Sequence, residues 1–463
     1  MLSSFWKTTF LYGLGFIGLR ALSFLLVPLY TQLLSPSDVG VIFIIYTILA
    51  FLNTFYSRGM DAALFKFYNK ENSKTIISTS MVYSLKHGAR LSVAILLIYF
   101  LLNIVNHDQF TTIIVFGLTS VLFFDMISSR CMSILRLQNK PIYYLSACFA
   151  NIILSLGLNI YFIKYLNWGL SGALWSIIAS AAVNIIVFSP VIFASVSWKN
   201  RDKKLLNNMK TTSLPFLPAA IFLILIELAD RWMLGAMSPL GTSDVGIYGS
   251  AYKFGSLIML SVKGFNLNWQ PYYLKPKNEK RFYKIGTLFL SLLIILSTLI
   301  SILWPMLFKL LIGKPFWDGG HIVPIIAISY IFYGLFILQM LSIYLRDKER
   351  WAPVFWGTGF MVNVLSNYYL IPLYSYYGAA ISTLFAYLTM SLFILCKNLS
   401  WMRMGYHYGF LGIMVLISLL AYAFTYNLNL VPGSIDVISS CIKISIAYTV
   451  VTAPLLLIIE KKL

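Results

Sequence analysis

Apolar runs long enough to cross a bilayer recur along the whole chain, and this recurrence decides the fold class. About 20 apolar residues span a membrane as a helix. Fourteen such spans can be read, at approximately 9–33, 40–57, 82–105, 111–129, 141–163, 169–193, 214–235, 244–262, 285–310, 322–345, 353–374, 377–396, 409–430 and 437–459. Hydrocarbon offers no water to backbone polar groups, so the spanning elements are helices. Only 11% of the 463 residues are charged and the mean hydropathy is +0.81. A soluble domain would carry about 25%. The expectation is an all-α polytopic membrane protein. The first run is too long for a cleavable signal peptide, and no small-residue cleavage site follows it. Cys131, Cys148, Cys396 and Cys441 lack metal or disulfide spacing and read as packing residues, so no metal site is expected.

Charge sets the orientation. An even span count puts both termini on one side. With the N-terminus in the cytoplasm, 26 of the 35 Lys and Arg residues fall in inner loops and three (Lys164, Lys309, Lys314) in outer loops. Six lie within spans: Arg20, Lys86, Arg90, Arg231, Lys253 and Lys443. This is the positive-inside pattern. The net charge of +20 then reflects topology signals lying against anionic lipid, not a nucleic-acid partner. The outer loops are short, the longest lying around Ile312–Gly320. The longest inner loops, Ala194–Ser213 and Lys263–Lys284, are basic and too short to fold alone.

The sequence also repeats. SPSDVGVI (Ser35–Ile42) recurs as GTSDVGIY (Gly241–Tyr248), pairing Asp38 with Asp244 at an offset of 206. RGMDAALFKFYNK (Arg58–Lys70) recurs as KGFNLNWQPYYLK (Lys263–Lys275) at an offset of 205, pairing Arg58 with Lys263 and Gly59 with Gly264. A weaker pair joins Gly172-Ala173 to Gly378-Ala379. Six spans separate the copies, so both run the same way through the membrane. Parallel repeats of this kind predict two six-helix lobes around a central cavity, plus two C-terminal helices. The expected divisions are an N-terminal lobe at 1–195, a basic cytoplasmic linker at 196–213, a C-terminal lobe at 214–400 and two additional helices at 401–463.

The opening pattern GLGFIGLRALSFLLVPLYTQLLSPSDVGVI, followed by RGMDAALFKFY, resembles the polysaccharide-transporter proteins (Wzx-type flippases) of the multidrug/oligosaccharidyl-lipid/polysaccharide (MOP) exporter superfamily. ELADRWMLG (Glu227–Gly235) and SDVGIYGSAYKFGSL (Ser243–Leu257) resemble that family's seventh and eighth helices. The resemblance implies a flippase, not an enzyme. Its substrate would be an undecaprenyl-diphosphate-linked oligosaccharide repeat unit, moved from the inner to the outer leaflet of the bacterial inner (cytoplasmic) membrane by alternating access. The product would feed O-antigen, as part of lipopolysaccharide, or capsule. The resemblance further implies a polysaccharide polymerase and a chain-length regulator as partners and no cofactor, with proton or sodium coupling open. It implies diphosphate contacts from cations on the first and eighth helices, which here are Arg20 and Lys253.

Arg20 stands near the middle of its apolar run. A guanidinium at that depth costs about 2.5–3.5 kcal/mol to insert and cannot deprotonate, so it must meet something polar. Either its planar fork binds phosphate oxygens, or it pairs with Glu227, since Arg20 plus the repeat offset is Ile226. Lys253 either faces a cavity or snorkels to an interface. Arg58 ends its span near Asp61, as a topology charge or as a substrate contact. Lys86, His87 and Arg90 form a basic turn. If their span begins near residue 82 they snorkel; if it begins near Ile76 they reach the inner mouth and meet a diphosphate first. Glu227, Asp230 and Arg231 sit at i, i+3 and i+4, which predicts a Glu227–Arg231 pair along one face. Alternatively, Glu227 or Asp125 carries a coupling proton. Lys443 and His321 read as interfacial.

Three other functions fit the residues less well. A cation-coupled multidrug exporter of the same superfamily should have an acidic cavity, whereas these central spans lean basic. A polytopic polymerase or ligase needs reactive groups in a substantial outer loop, and the outer loops hold only scattered ones. A structural subunit has no need of Arg20 at mid-membrane.

Overall fold

The computed structural model describes residues 18, 22–69, 71–102, 109–214, 216–273, 279–428 and 430–462. Every regular element among them is helical. Each expected span has a helical counterpart, the first in its described part, α1 (Leu22–Leu33). The chain forms two compact units. The first comprises Met1–Leu34 and Ile45–Ile224; the second comprises Ser35–Ile44 and Leu225–Leu463.

In the first unit, the part of α2 (Pro36–Ser57) from Ile45 onward leads through a tight turn into the short α3 (Met60–Phe67). Then come α4 (Ser73–Leu102), α5 (Gln109–Leu137) and α6 (Pro141–Asn159), the last started by Pro141 and ending in a π-helical turn, Ile160–Tyr165. Next are α7 (Gly169–Ser195) and α8 (Lys203–Ser213). Its core gathers Tyr56, Leu64, Ile77, Met81, Met126, Ile134 and Phe188.

Helix α4 begins at Ser73, well before residue 82. Its polar start, Ser78-Thr79-Ser80, looks like loop in sequence but is buried. Ser78 accepts from the Ser197 N–H (2.7 Å) and Thr79 from the Asp202 N–H (3.2 Å), so the linker satisfies two of the three buried hydroxyls. The linker, expected to be too short to fold alone, folds against the unit. Asp202 caps α8 by accepting from the N–H groups of Lys204 and Leu205. Helix α8 packs on α3 and α4 through the fully buried Met209.

The second unit takes in most of α9 (Phe216–Met237), then α10 (Thr242–Gly255) and α11 (Leu257–Tyr273). These last two were read as one span. They part at Ser256, whose hydroxyl donates to the Lys253 carbonyl at 3.0 Å. Helix α11 continues through residues expected to be loop. Then follow α12 (Glu279–Leu311), a 3-10 turn (Lys314–Ile322), α13 (Val323–Gln339), α14 (Leu341–Leu345) and α15 (Ala352–Trp401). Helix α15 covers two expected spans and breaks between them at Ser375, where φ is 49°. Helices α16 (Tyr408–Asn427) and α17 (Val437–Lys462) pack on α12 around Ile302, Met414 and Tyr448.

The first repeated octapeptide packs against its own copy within the second unit. A Cβ on Gly40 would stand 1.7 Å from the Thr242 carbonyl oxygen, and one on Gly246 would stand 2.0 Å from that of Pro36. Only hydrogen fits at either place, so the two equivalent glycines form a reciprocal close crossing. The Ser37 and Thr242 hydroxyls meet beside it at 2.8 Å. The weaker pair is also placed alike: Gly172 lies against the Phe162 carbonyl and Gly378 against that of Leu370.

Candidate anion-binding site

The C-terminal end of α2 turns at Arg58 and Gly59, both left-handed, with φ of 50° and 66°. Glycine adopts this freely; for arginine it is uncommon. The turn brings Asp61 to Arg130. Arg130 was counted among the loop charges, but it lies in α5 and is fully buried. Its Nη1 donates to Asp61 Oδ1 at 2.6 Å, its Nη2 to the Ser57 carbonyl at 3.4 Å, and Ser133 Oγ to Asp61 at 2.8 Å. A buried guanidinium requires such neutralisation. Asp61 is thereby taken, and Arg58 turns instead to the Tyr83 hydroxyl of α4, at 3.1 Å.

Tyr83 is the hub of a cationic cluster. One turn along α4, His87 stacks parallel to it, with ring centroids 5.8 Å apart. Lys210 of α8 places its ammonium over the Tyr83 ring, 4.9 Å from the centroid. His87 Nε2 lies 3.0 Å from the Phe55 carbonyl. A carbonyl can only accept, so Nε2 carries the hydrogen. The charges of Arg58, Arg90 and Lys210 all act on this imidazole. Lys86 and Arg90 are exposed and lie at i, i+4 on α4. At a rise of about 1.5 Å per residue, Lys86 is roughly 20 Å along its helix, far from the terminal position that snorkelling from residue 82 requires. Among the described residues, the ion pairs are Arg130–Asp61, Arg231–Asp230 and Lys263–Glu227. Arg58, Lys86, Arg90 and Lys210 are in none of them.

The second unit holds the opposite arrangement. The expected side-chain pair of Glu227 with Arg231 does not form. Lys263 of α11 donates to Glu227 Oε1 at 2.7 Å. Arg231 folds back on its own helix, donating to the Glu227 carbonyl at 2.9 Å and to Asp230 Oδ1 at 3.3 Å. Asp230 also accepts from the Tyr248 hydroxyl. The guanidinium lies over the Tyr252 ring at 4.7 Å, and the Tyr252 and Tyr330 hydroxyls bond to each other. Desolvation favours this compact pairing, since Asp230 and Arg231 are both buried.

Lys253 is half-buried in the last turn of α10. Asp125 is half-buried in α5, close enough to the half-buried Tyr46 phenol for an electrostatic interaction. Arg20 lies outside the described residues, and with it the choice between a phosphate and Glu227. Three cysteines are buried as expected, but Cys396 is exposed.

Residues 5–275 match the polysaccharide biosynthesis protein family. The chain belongs to that family. Its fold is that of MOP-superfamily transporters. A structure of the lipid II flippase MurJ in an inward closed conformation aligns with a TM-score of 0.73 and 14% identity, over 96% of this chain and 98% of that one. A multidrug resistance MATE family transporter, inward-facing, aligns at 0.63 and 11% identity, over 88% and 96%. A Vibrio cholerae MATE transporter, VcmN, aligns at 0.54 and 15%, over 86% and 96%. No curated protein sequence matches the chain. The family and the apolar helices make this a membrane protein of polysaccharide biosynthesis.

Tyr83, Arg130 and Lys210 were missed as site residues. The i, i+4 spacing of Tyr83 and His87 was legible. The roles of Arg130 and Lys210 depend on contacts 69 residues or more away in sequence, between Arg130 and Asp61 and between Lys210 and Tyr83.

Proposed function

We propose that the protein is a flippase for undecaprenyl-diphosphate-linked oligosaccharide repeat units of O-antigen or capsule, working by alternating access in the bacterial inner membrane with both termini in the cytoplasm. The observation that carries this reading is the group of cations in the first unit, Arg58, Lys86, Arg90 and Lys210, outside every ion pair of the described residues. A cationic drug would be repelled there, and a diphosphate attracted. Arg20 and Lys253 complete the proposed contacts from the first and eighth spans. Arg20, Arg58 and Arg90 suit the task because a guanidinium grips phosphate oxygens in pairs. Polymerase and chain-length regulator would take the product at the outer face.

Coupling is assigned to Asp125. Among the described residues no ion pair reaches this half-buried carboxylate. A proton or a sodium ion would neutralise it, and Asp125→Asn should uncouple transport from the ion gradient.

Deletion of the gene, followed by assay of the lipid-linked intermediate and its leaflet, tests the whole reading. The intermediate should accumulate on the cytoplasmic side and be cleared by the wild-type gene. Normal surface polysaccharide in the deletion strain would refute it.

A further inference from the structure

Three elements meet at the end of the second unit that the charge count assigns to the outer side. They are the start of α10, the 3-10 turn Lys314–Ile322 and the break in α15 at Ser375; α10, α15 and the turn all pack on one another. Two carboxylates far apart in sequence, Asp244 and Asp318, arrive there with a tyrosine pair. The Tyr376 and Tyr377 rings are stacked, with centroids 4.9 Å apart and planes 29° from parallel. Asp318 lies within electrostatic reach of both phenols, and Asp244 within reach of Tyr376.

The two carboxylates play different parts. Asp244 is buried and engaged: its Oδ2 accepts from the Ser375 hydroxyl at 2.5 Å and from the Leu240 N–H at 3.4 Å. The first bond holds Ser375 at its φ of 49°, immediately before the tyrosines. Immediately after them, a Cβ on Gly378 would stand 2.3 Å from the Leu370 carbonyl oxygen, so the halves of α15 close without slack. The 3-10 turn is pinned likewise, since a Cβ on Gly319 would stand 2.6 Å from the Ile247 side chain. Asp318, next to it, is exposed and belongs to none of the ion pairs of the described residues. Tyr376 and Tyr377 are half-buried. An interfacial aromatic belt accounts for the exposed Tyr368, Tyr369 and Tyr374 of the same helix. It does not account for a stacked pair set beside a carboxylate in a fixed turn. A carboxylate only accepts, whereas a phenol both donates and accepts. Together they match a ligand rich in hydroxyl groups, with a C–H face to lie on the rings, and the carboxylates repel a phosphate.

We infer that Asp318, Tyr376 and Tyr377 form a carbohydrate-binding site that holds uncharged sugar residues of the lipid-linked substrate on the outer side, with Asp244 and Ser375 as its positioning residues. The inference rests on the flippase reading and gives the sugar its own contacts, on the other unit from the cations Arg58, Lys86, Arg90 and Lys210.

The test uses full-length protein in phosphatidylcholine nanodiscs. The probe is the oligosaccharide repeat unit prepared by partial acid hydrolysis of the host's surface polysaccharide, and saturation-transfer NMR reads its binding. Asp318→Asn should weaken binding about five- to tenfold, as loss of one charge-assisted hydrogen bond does. Tyr377→Ala should weaken it at least as much. Asp318 is exposed, so Asp318→Asn should melt with the wild type. Farnesyl diphosphate, which carries no sugar, should bind to both variants as to the wild type. Wild-type oligosaccharide affinity in either variant overturns the site, as does a wild-type protein that binds no oligosaccharide. An equal loss of farnesyl diphosphate binding marks a general disturbance and overturns it too. The flippase reading fails separately, by normal surface polysaccharide in the deletion strain.

Discussion

Arg58 and Lys263 occupy equivalent places in the two copies of the repeat, and their surroundings are opposite. Arg58 bonds to a phenol among other cations. Lys263 bonds to a carboxylate, Glu227, four residues from a second neutralised cation, Arg231. The positive-inside rule accounts for a basic residue at both places. It does not account for one being neutralised and the other left with charge to offer. The difference suggests that one copy was kept for binding and the other for holding its helices together.

The largest effect should come from breaking the neutral copy. Asp230→Ala leaves the Arg231 guanidinium buried without its carboxylate, and loss of one partner of a buried pair costs about 3–5 kcal/mol. A strong drop in melting temperature and in membrane abundance is expected. A variant as stable as wild type would mean that the tyrosines around Arg231, not Asp230, hold the charge.

Next comes conversion of the first copy into a likeness of the second. His87→Glu puts a carboxylate beside Arg58, Arg90 and Lys210, as Glu227 stands beside Lys263. Transport should fall at least tenfold, about 1.4 kcal/mol, at near-normal abundance. Arg58→Gln should produce a similar loss by removing the cation itself. Wild-type polysaccharide levels from both variants would erase the functional side of the comparison.

How much of this was legible beforehand follows the same division. The hydrophobic period announces helices wherever the chain faces lipid, so the spans could be read, as could the repeat. Ser78 and Thr79 misled because polar side chains can be buried when distant backbone N–H groups satisfy them. Span eight hid its break because Ser256 caps a carbonyl from within an apolar run. At the site, Arg58, Lys86 and Arg90 stood out as charges, but their partners did not. Sequence placed Asp61 beside Arg58 and Glu227 beside Arg231. Folding gave Asp61 to Arg130 and Glu227 to Lys263, since a buried charge takes the carboxylate that the packing brings to it.

The smallest effect should come from the pair that mirrors Arg58. Glu227 and Lys263 have side chains 30% and 31% exposed, and such partly solvated pairs contribute about 0.2–1 kcal/mol. Glu227→Gln should therefore lower stability only slightly and leave transport within about twofold of wild type, because Lys263 keeps a polar neighbour. The double variant Glu227→Gln/Lys263→Gln measures the coupling directly, and a value near 1 kcal/mol or less is expected. Freeing Lys263 also makes the second copy resemble the first. Farnesyl diphosphate should then gain a weak second binding event that Lys263→Gln removes. If Glu227→Gln instead stops transport as completely as Arg58→Gln, the two copies share the work, and the asymmetry of their ion pairs describes one conformation of the transport cycle.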